Sequence, residues 1–215
     1  MQTLTETLLE AGWNDRVVSS AQIARLLQGS PQSRYNLVNR ALSRGELVRL
    51  RRGLYVLSAK HSTKVLHPFV LAQALVPGSY ISFESALSHH GWLPESVPLI
   101  LSVTSNRRTL EVENALGTFR FSPLVTSPGH FLEAVERLVI DGRVAFVARP
   151  LRALLDLISQ RKIEPGDAGA FVDGMRIDAA SIAEVPAITW RDVGRAYTLR
   201  RTLRCFEALT QEYRR

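Results

Sequence analysis

The chain is short of cysteine, of lysine and of long apolar runs, and each shortage narrows what it can be. Cys205 is the only cysteine in 215 residues. One thiol excludes an internal disulfide and an all-cysteine metal site, and it suits a reducing cytoplasm. No apolar run approaches the roughly 20 residues that span a bilayer, so no membrane partner is expected. Met1 to Gly12 lacks a basic region followed by an apolar stretch, and does not read as a signal peptide. Internal repeats and low-complexity tracts are also missing.

Lysine occurs only at Lys60, Lys64 and Lys162, so 24 of the 27 cationic residues are arginine. Guanidinium groups suit bidentate contacts to phosphate or guanine, although GC-rich codon usage produces the same bias. Acidic residues number 20, which leaves a net charge of +7. Such a balance favours polyanionic partners and says nothing of fold. The excess is uneven: residues 1–60 hold nine cations against four acids, and residues 61–215 only eighteen against sixteen. At 46% hydrophobic the chain buries a sizeable core, as one domain or as a small module plus a larger one.

The first sixty residues read as three helices and a hairpin. Leu4, Leu8 and Ala11, stopped by Gly12, space out a short helix. Ser19 or Ser20 caps a second, running through Ile23, Ala24 and Leu27 to Gly29. Ser30-Pro31 opens a third that runs to about Arg44, with Gly45 as its stop. Two helices joined by a tight Gly-containing turn form a helix-turn-helix. On the third helix, Gln32, Ser33, Asn36, Asn39, Arg40 and Ser43 all fall within about 60° of Asn36, at 100° per residue. Val38, Ala41 and Leu42 fall opposite. Asn and Gln match adenine edges and Arg matches guanine. Ser30, Ser33 and the helix N-terminus suit phosphate.

Leu47–Leu50 and Leu54–Leu57 flank Arg51-Arg52-Gly53 as a hairpin with a basic tip. A hairpin after the reading helix is a wing, with Arg49, Arg51 and Arg52 beside the backbone or minor groove. From Arg16 to Lys60 only Glu46 opposes nine cations. The partner these features imply is duplex DNA. The alternative is a helical trio that docks another protein, with the polar face merely solvated.

Lys60-His61-Ser62-Thr63-Lys64 reads as a polar linker between a winged helix-turn-helix domain (1–60) and a larger domain (65–215). The larger part reads as α+β without regular alternation of strand and helix. His67-Pro68 opens a helix ended by Pro77-Gly78. Ser79–Ser82 is a short strand, and Ser82 caps a helix from Phe83 to His90. Pro98–Thr104 and Gly117–Phe121 are strand candidates. Glu136–Ile140 and Arg143–Ala148 make the clearest hairpin, because Asp141-Gly142 supplies positive φ. Pro150 starts a helix with Leu151, Leu154, Leu155 and Ile158 on one stripe. Short helices are expected at Asp167–Met175 and Asp178–Val185, with a capping-box spacing at Thr189 and Asp192. The last helix runs from Thr198 to Tyr213, with Leu199, Leu203, Phe206 and Leu209 inward. Arg191, Arg195, Arg200, Arg201 and Arg204 form a second basic cluster, either a solvated face or a binding patch.

Three stretches together resemble the AbiEi antitoxin family of bacterial type IV toxin–antitoxin systems. They are Leu47-Val48-Arg49-Leu50-Arg51-Arg52-Gly53-Leu54-Tyr55, then Tyr80-Ile81-Ser82-Phe83-Glu84-Ser85-Ala86-Leu87-Ser88-His89-His90-Gly91, then Val147-Ala148-Arg149-Pro150-Leu151-Arg152-Ala153-Leu154-Leu155-Asp156. The chain departs from the family pattern at Leu151, where Glu is frequent, and after residue 160. The resemblance implies a repressor with an N-terminal winged helix and a C-terminal antitoxin domain. Such proteins bind repeats in their own promoter. They counter a nucleotidyltransferase toxin from the same operon, usually without a stable complex, and some relatives stand alone.

Catalysis is not expected, and no cofactor or metal is implied. H-E-x-x-H, P-loop, dinucleotide and nucleophile-elbow motifs are missing from the sequence. His67, Glu84, His89 and His90 do not space as a site, since His89 and His90 lie five and six residues after Glu84. Glu84 is expected to brace the strand–helix corner with one of these histidines, His90 being a candidate partner. Asp156 is expected to pair with Arg152 or Arg143.

Overall fold

The computed structural model describes residues 3–95 and 98–214. Its first elements are α1 (Leu4–Glu10), β1 (Val18–Ser19), α2 (Ser20–Leu26), α3 (Pro31–Ser43), β2 (Leu47–Arg51) and β3 (Leu54–Leu57). Local chemistry sets the helix starts. The Thr3 hydroxyl accepts from the Glu6 N–H while the Glu6 carboxylate accepts from the Thr3 N–H. Ser19 and Gln22 repeat this reciprocal box at α2. At α3 the Ser30 hydroxyl accepts from the Ser33 N–H and Pro31 takes the first helical position. Gly45, at φ +66°, lets the chain leave α3 in the left-handed region.

β1 escaped the sequence reading because two residues carry no alternating pattern. Val18 and Ser19 pair antiparallel with Tyr55 and Leu54, giving a sheet ordered β1-β3-β2. Leu4, Leu8, Val18, Ile23, Val38 and Leu47 close a core between helices and sheet. This is a winged helix-turn-helix, and α3 is the second helix of its helix-turn-helix.

The remaining elements are α4 (Pro68–Leu75), β4 (Tyr80–Ile81), α5 (Phe83–His89), β5 (Leu99–Thr104), β6 (Leu110–Asn114), β7 (Gly117–Pro123), β8 (Val135–Ile140), β9 (Arg143–Ala148), α6 (Pro150–Arg161), α7 (Ala168–Gly174), α8 (Ala179–Ala183), α9 (Ala187–Arg195) and α10 (Arg200–Tyr213). The strands form one mixed sheet ordered β6-β7-β5-β4-β9-β8, so the fold is α+β. Asp141 and Gly142, at φ +50° and +76°, make the β8–β9 turn, as the Asp-Gly pair requires.

Four expectations are corrected. Ser82 stands at the N-cap of α5 but its side chain does not cap it; its hydroxyl donates instead to Asp156 Oδ2 at 2.7 Å. Thr189 and Asp192 do not cap a helix start, because α9 already begins at Ala187 with Pro186 before it. Thr189 is buried and its hydroxyl accepts from Arg149. On α10 the fully inward residues are Thr202, Cys205 and Leu209, whereas Leu199 precedes the helix and is exposed. Leu203, Phe206 and Leu209 of the expected stripe do face the core, and only Leu199 falls off it. On α6 burial is not a stripe: Leu151 to Ser159 are all buried, as befits a helix enclosed on every side.

Enclosing α6 requires a partner for each polar side chain on it. Arg152 and Asp156 are fully buried and paired at 3.0 Å, which decides between Arg152 and Arg143. Tyr197 donates to Asp156 Oδ1 at 2.7 Å, and Tyr80 and Ser82 donate to Oδ2. Arg152 donates onward to the Glu133 carbonyl and the Tyr80 hydroxyl. The carboxylate thus accepts four bonds, and the guanidinium is spent on fixed acceptors.

The winged module is tied to the rest at two places. Asn114 Nδ2 at the end of β6 donates to the Leu50 carbonyl at 3.1 Å, and Leu50 and Val56 join the larger core. Asp15, between α1 and β1, receives the Ser62 and Thr63 hydroxyls and the Thr63 and Lys64 N–H groups. Those bonds, the Thr63 and Ser62 hydroxyls foremost, hold its carboxyl down to about 2.

Candidate nucleic-acid interface

α3 divides as its periodicity requires. Val38 and Ala41 are buried in the module, and Leu42 and Leu37 pack against that core. On the opposite side Gln32, Ser33, Asn36, Arg40 and Ser43 are exposed and Asn39 is half-buried. The six residues therefore share one outward face, with Ser30 exposed at its N-terminal end.

The polar side chains on that face are not equivalent. Gln32 Nε2 donates to Asn36 Oδ1 at 3.2 Å, so two amides one turn apart are held as a pair. Ser43 donates back to the Arg40 carbonyl at 2.9 Å, which spends its only proton inside the helix. Ser30 is spent on the cap, accepting from Ser33 N–H at 3.2 Å. It holds the first turn, in which Pro31 has no N–H and Arg34 N–H bonds the Ser30 carbonyl, so the Gln32 N–H is the backbone donor left over for an anion.

The wing follows directly. β2 and β3 pair from Leu47–Leu57 to Arg51–Leu54, with a register shift between Arg49 and Arg51. Leu50 is buried while its neighbours Arg49 and Arg51 are both exposed, and the bulge between them bends the ribbon towards its tip. Arg52 is exposed at the tip, beside Gly53 at φ +80°. Among the described residues, Arg40, Arg49, Arg51 and Arg52 have no carboxylate partner within ion-pair distance. Arg44 alone approaches the single local acid, Glu46, at 4.0 Å, and Thr5 holds that same carboxylate. The cations beside the amide face thus remain available to phosphate.

Tyr35 was missed by the sequence reading. It is 62% exposed and lies four residues before Asn39, on the flank of the amide face. A large aromatic left uncovered on an otherwise polar helix is the signal that finds it.

The second basic cluster is structurally different. Arg191 pairs with Asp192 at 3.4 Å and Arg195 with Glu133 at 3.9 Å. Arg201 is half-buried, with its Nε lacking a partner among the described residues. Arg200 and Arg204 are exposed. Two of the five charges are therefore offset locally, unlike those of the wing.

The expected Glu84–histidine brace is not formed. Glu84 pairs with Arg161 across to α6. His90 Nε2 bonds instead to the Ala148 carbonyl at 3.0 Å, and burial lowers its pKa. His67 Nδ1 accepts from the Phe69 N–H at the start of α4, and burial lowers it too. The rings of His67 and His89 both lean edge-on against Phe69. Glu84, His67 and His90 hold corners by an ion pair and hydrogen bonds, and His89 packs by its ring.

Residues 6–58 match the family model described as a transcriptional regulator, AbiEi antitoxin. The match spans the whole of α2 to β3 and most of α1, so the winged module is similar to that family's. It takes in the first of the three resembling stretches; the other two lie beyond it. No curated protein matches the chain.

Proposed function

We propose that this chain, with an AbiEi-type winged module at its N-terminus, is a cytoplasmic transcriptional autorepressor and antitoxin. In this reading α3 enters the major groove of repeats in its own promoter. Asn36, with Asn39, Arg40 and Gln32, meets base edges. Arg49, Arg51 and Arg52 on the wing engage the adjacent backbone. The single observation that carries the reading is the outward amide face of α3 beside a wing of unpaired arginines. The centre of a protein-docking face is poor in charge and rich in aromatics, whereas α3 exposes Arg40 among amides and, of large apolar side chains, only Tyr35.

The chain divides at the linker into a reading domain (1–60) and an antitoxin domain (65–215). The latter counters a nucleotidyltransferase toxin encoded beside it, without a lasting complex. Support for this half is the likeness of the 80–91 and 147–156 stretches to the family. In the structure these are the β4–α5 corner and the β9–α6 corner, joined by Ser82–Asp156 and His90–Ala148. The reading requires no cofactor.

A fluorescence titration of the chain's own upstream duplex at several salt concentrations tests the DNA half. Affinity is expected to fall steeply and linearly in log–log form; no salt-dependent binding refutes it. Co-expression of the neighbouring reading frame tests the antitoxin half: growth arrest that residues 65–215 fail to relieve refutes it.

A further inference from the structure

Where the linker passes between the winged module and the larger core, it roofs a cavity of about 350 Å³. Val56 and Leu57 of β3 supply one wall, Leu66 and Leu71 another, and Leu116 in the β6–β7 turn a third. This volume is at the lower end for small-molecule sites, and the mostly apolar lining is typical of them. Two of the chain's exposed large hydrophobic side chains, Val65 at 83% and Leu116 at 38%, stand on this same cavity. Exposed apolar side chains gathered on one concavity mark a binding surface more than a solvated one.

The polar groups of the lining decide the ligand. Ser62 and Thr63 are spent on Asp15, and Asn14 donates to Asp15 as well. Lys64 is the one cation of the lining, and among the described residues it has no ion-pair partner. Asp15, the nearby carboxylate, is turned to hydroxyls and to the backbone N–H groups of Thr63 and Lys64. It makes no ion pair with the Lys64 ammonium. An apolar pocket whose lining holds one cation without an ion pair, and no carboxylate, is complementary to a small hydrocarbon body carrying one negative charge.

We propose that this junction cavity binds a small monoanionic amphiphile, an aromatic or short aliphatic carboxylate, and that its occupancy alters duplex binding. The second half rests on the winged-module reading. Its physical basis is that the cavity walls come from β3, from the linker that Asp15 clamps and from the larger core. A ligand there favours one placement of the reading module, and coupling between the two sites is reciprocal.

Calorimetry on the full chain with 2-naphthoate tests the site without any DNA. Saturable one-to-one binding is expected, and the neutral isostere 2-naphthamide should bind about fivefold more weakly. Lys64→Met should erase that difference. Ala59→Trp, a substitution on the exposed turn lining the cavity, should abolish binding while thermal unfolding stays wild-type. Lack of saturable binding, equal binding of acid and amide, or retention in Ala59→Trp overturns the site. A duplex affinity unchanged by saturating 2-naphthoate overturns the coupling. A failure of duplex binding itself, with the acid still bound, would strike the winged-module reading and leave the site standing.

Discussion

Gln32 donates a hydrogen bond to Asn36 one turn along α3, at 3.2 Å between Nε2 and Oδ1. That bond fixes which way the Asn36 amide faces: its oxygen is turned towards Gln32, and its two N–H groups stay free. A carboxamide held this way offers a donor and a second oxygen lone pair, the pattern complementary to adenine N7 and N6–H. Asn36 is then the reader and Gln32 positions it.

The consequence is measurable by enrichment of random duplexes. Wild-type protein should select adenine at one position of its site, and Asn36→Ala should lose that preference at a cost of roughly 1–3 kcal/mol. Gln32→Glu, whose carboxylate accepts from Asn36 Nδ2 and so turns the amide over, should weaken the adenine preference more than Gln32→Met does. Identical base preferences in all variants would refute the arrangement.

On the wing, Arg51→Ala and Arg52→Ala should weaken binding to all duplexes alike. Each lost phosphate contact removes about one unit from the slope of log affinity against log salt. Titration at four or five salt concentrations checks this. An unchanged slope would place both side chains off the backbone.

The Arg152–Asp156 pair yields a stability prediction. Arg152→Met strands a buried carboxylate and should cost roughly 3–5 kcal/mol. Tyr197→Phe removes one of four bonds to that carboxylate and should cost roughly 1–3 kcal/mol. Denaturant unfolding reads both. A near-neutral Arg152→Met would show that the carboxylate finds water or a proton instead.

His67 and His90 both have lowered pKa values, chiefly through burial. The folded chain therefore binds protons less readily than the unfolded chain. Their contribution to stability is complete above about pH 6.5, the unfolded value, and is lost as pH falls towards the lowered folded values. His67→Asn keeps a cap acceptor for Phe69 without a titrating ring. Unfolding free energies between pH 5 and 8, on the order of that window, should show a shallower decline for this variant. An equal or steeper decline would contradict the role given to His67.

What the sequence made legible was whatever local chemistry controls. Caps at Ser19 and Ser30, the Gly45 stop and the Asp141-Gly142 turn emerge where their residue types place them. So does the outward face of α3, because 3.6-residue periodicity and one apolar side suffice to orient a helix. Long-range partners escaped it. Ser82 looked like a cap because nothing in its neighbourhood announces Asp156, 74 residues away. Glu84 was assigned to a histidine on its own helix, and Arg161 of α6 took it. Strand β6 was missed although Leu110-Glu111-Val112-Glu113-Asn114 alternates apolar and polar, because five residues with two acids are a short signal and their partner β7 is set by the fold. The wing bulge and Tyr35 were missed for a similar reason, since exposure is a property of the packed module.

The central claim is that the amide face of α3 meets duplex DNA, and Tyr35 is a built-in reporter on its flank. Hydroxyl-radical oxidation read by mass spectrometry should modify Tyr35 readily in the free chain, given its 62% exposure. Saturating upstream duplex should protect Tyr35 strongly, while Val139, 60% exposed on β8, is oxidised as before. Equal oxidation of Tyr35 with and without bound duplex would contradict the account.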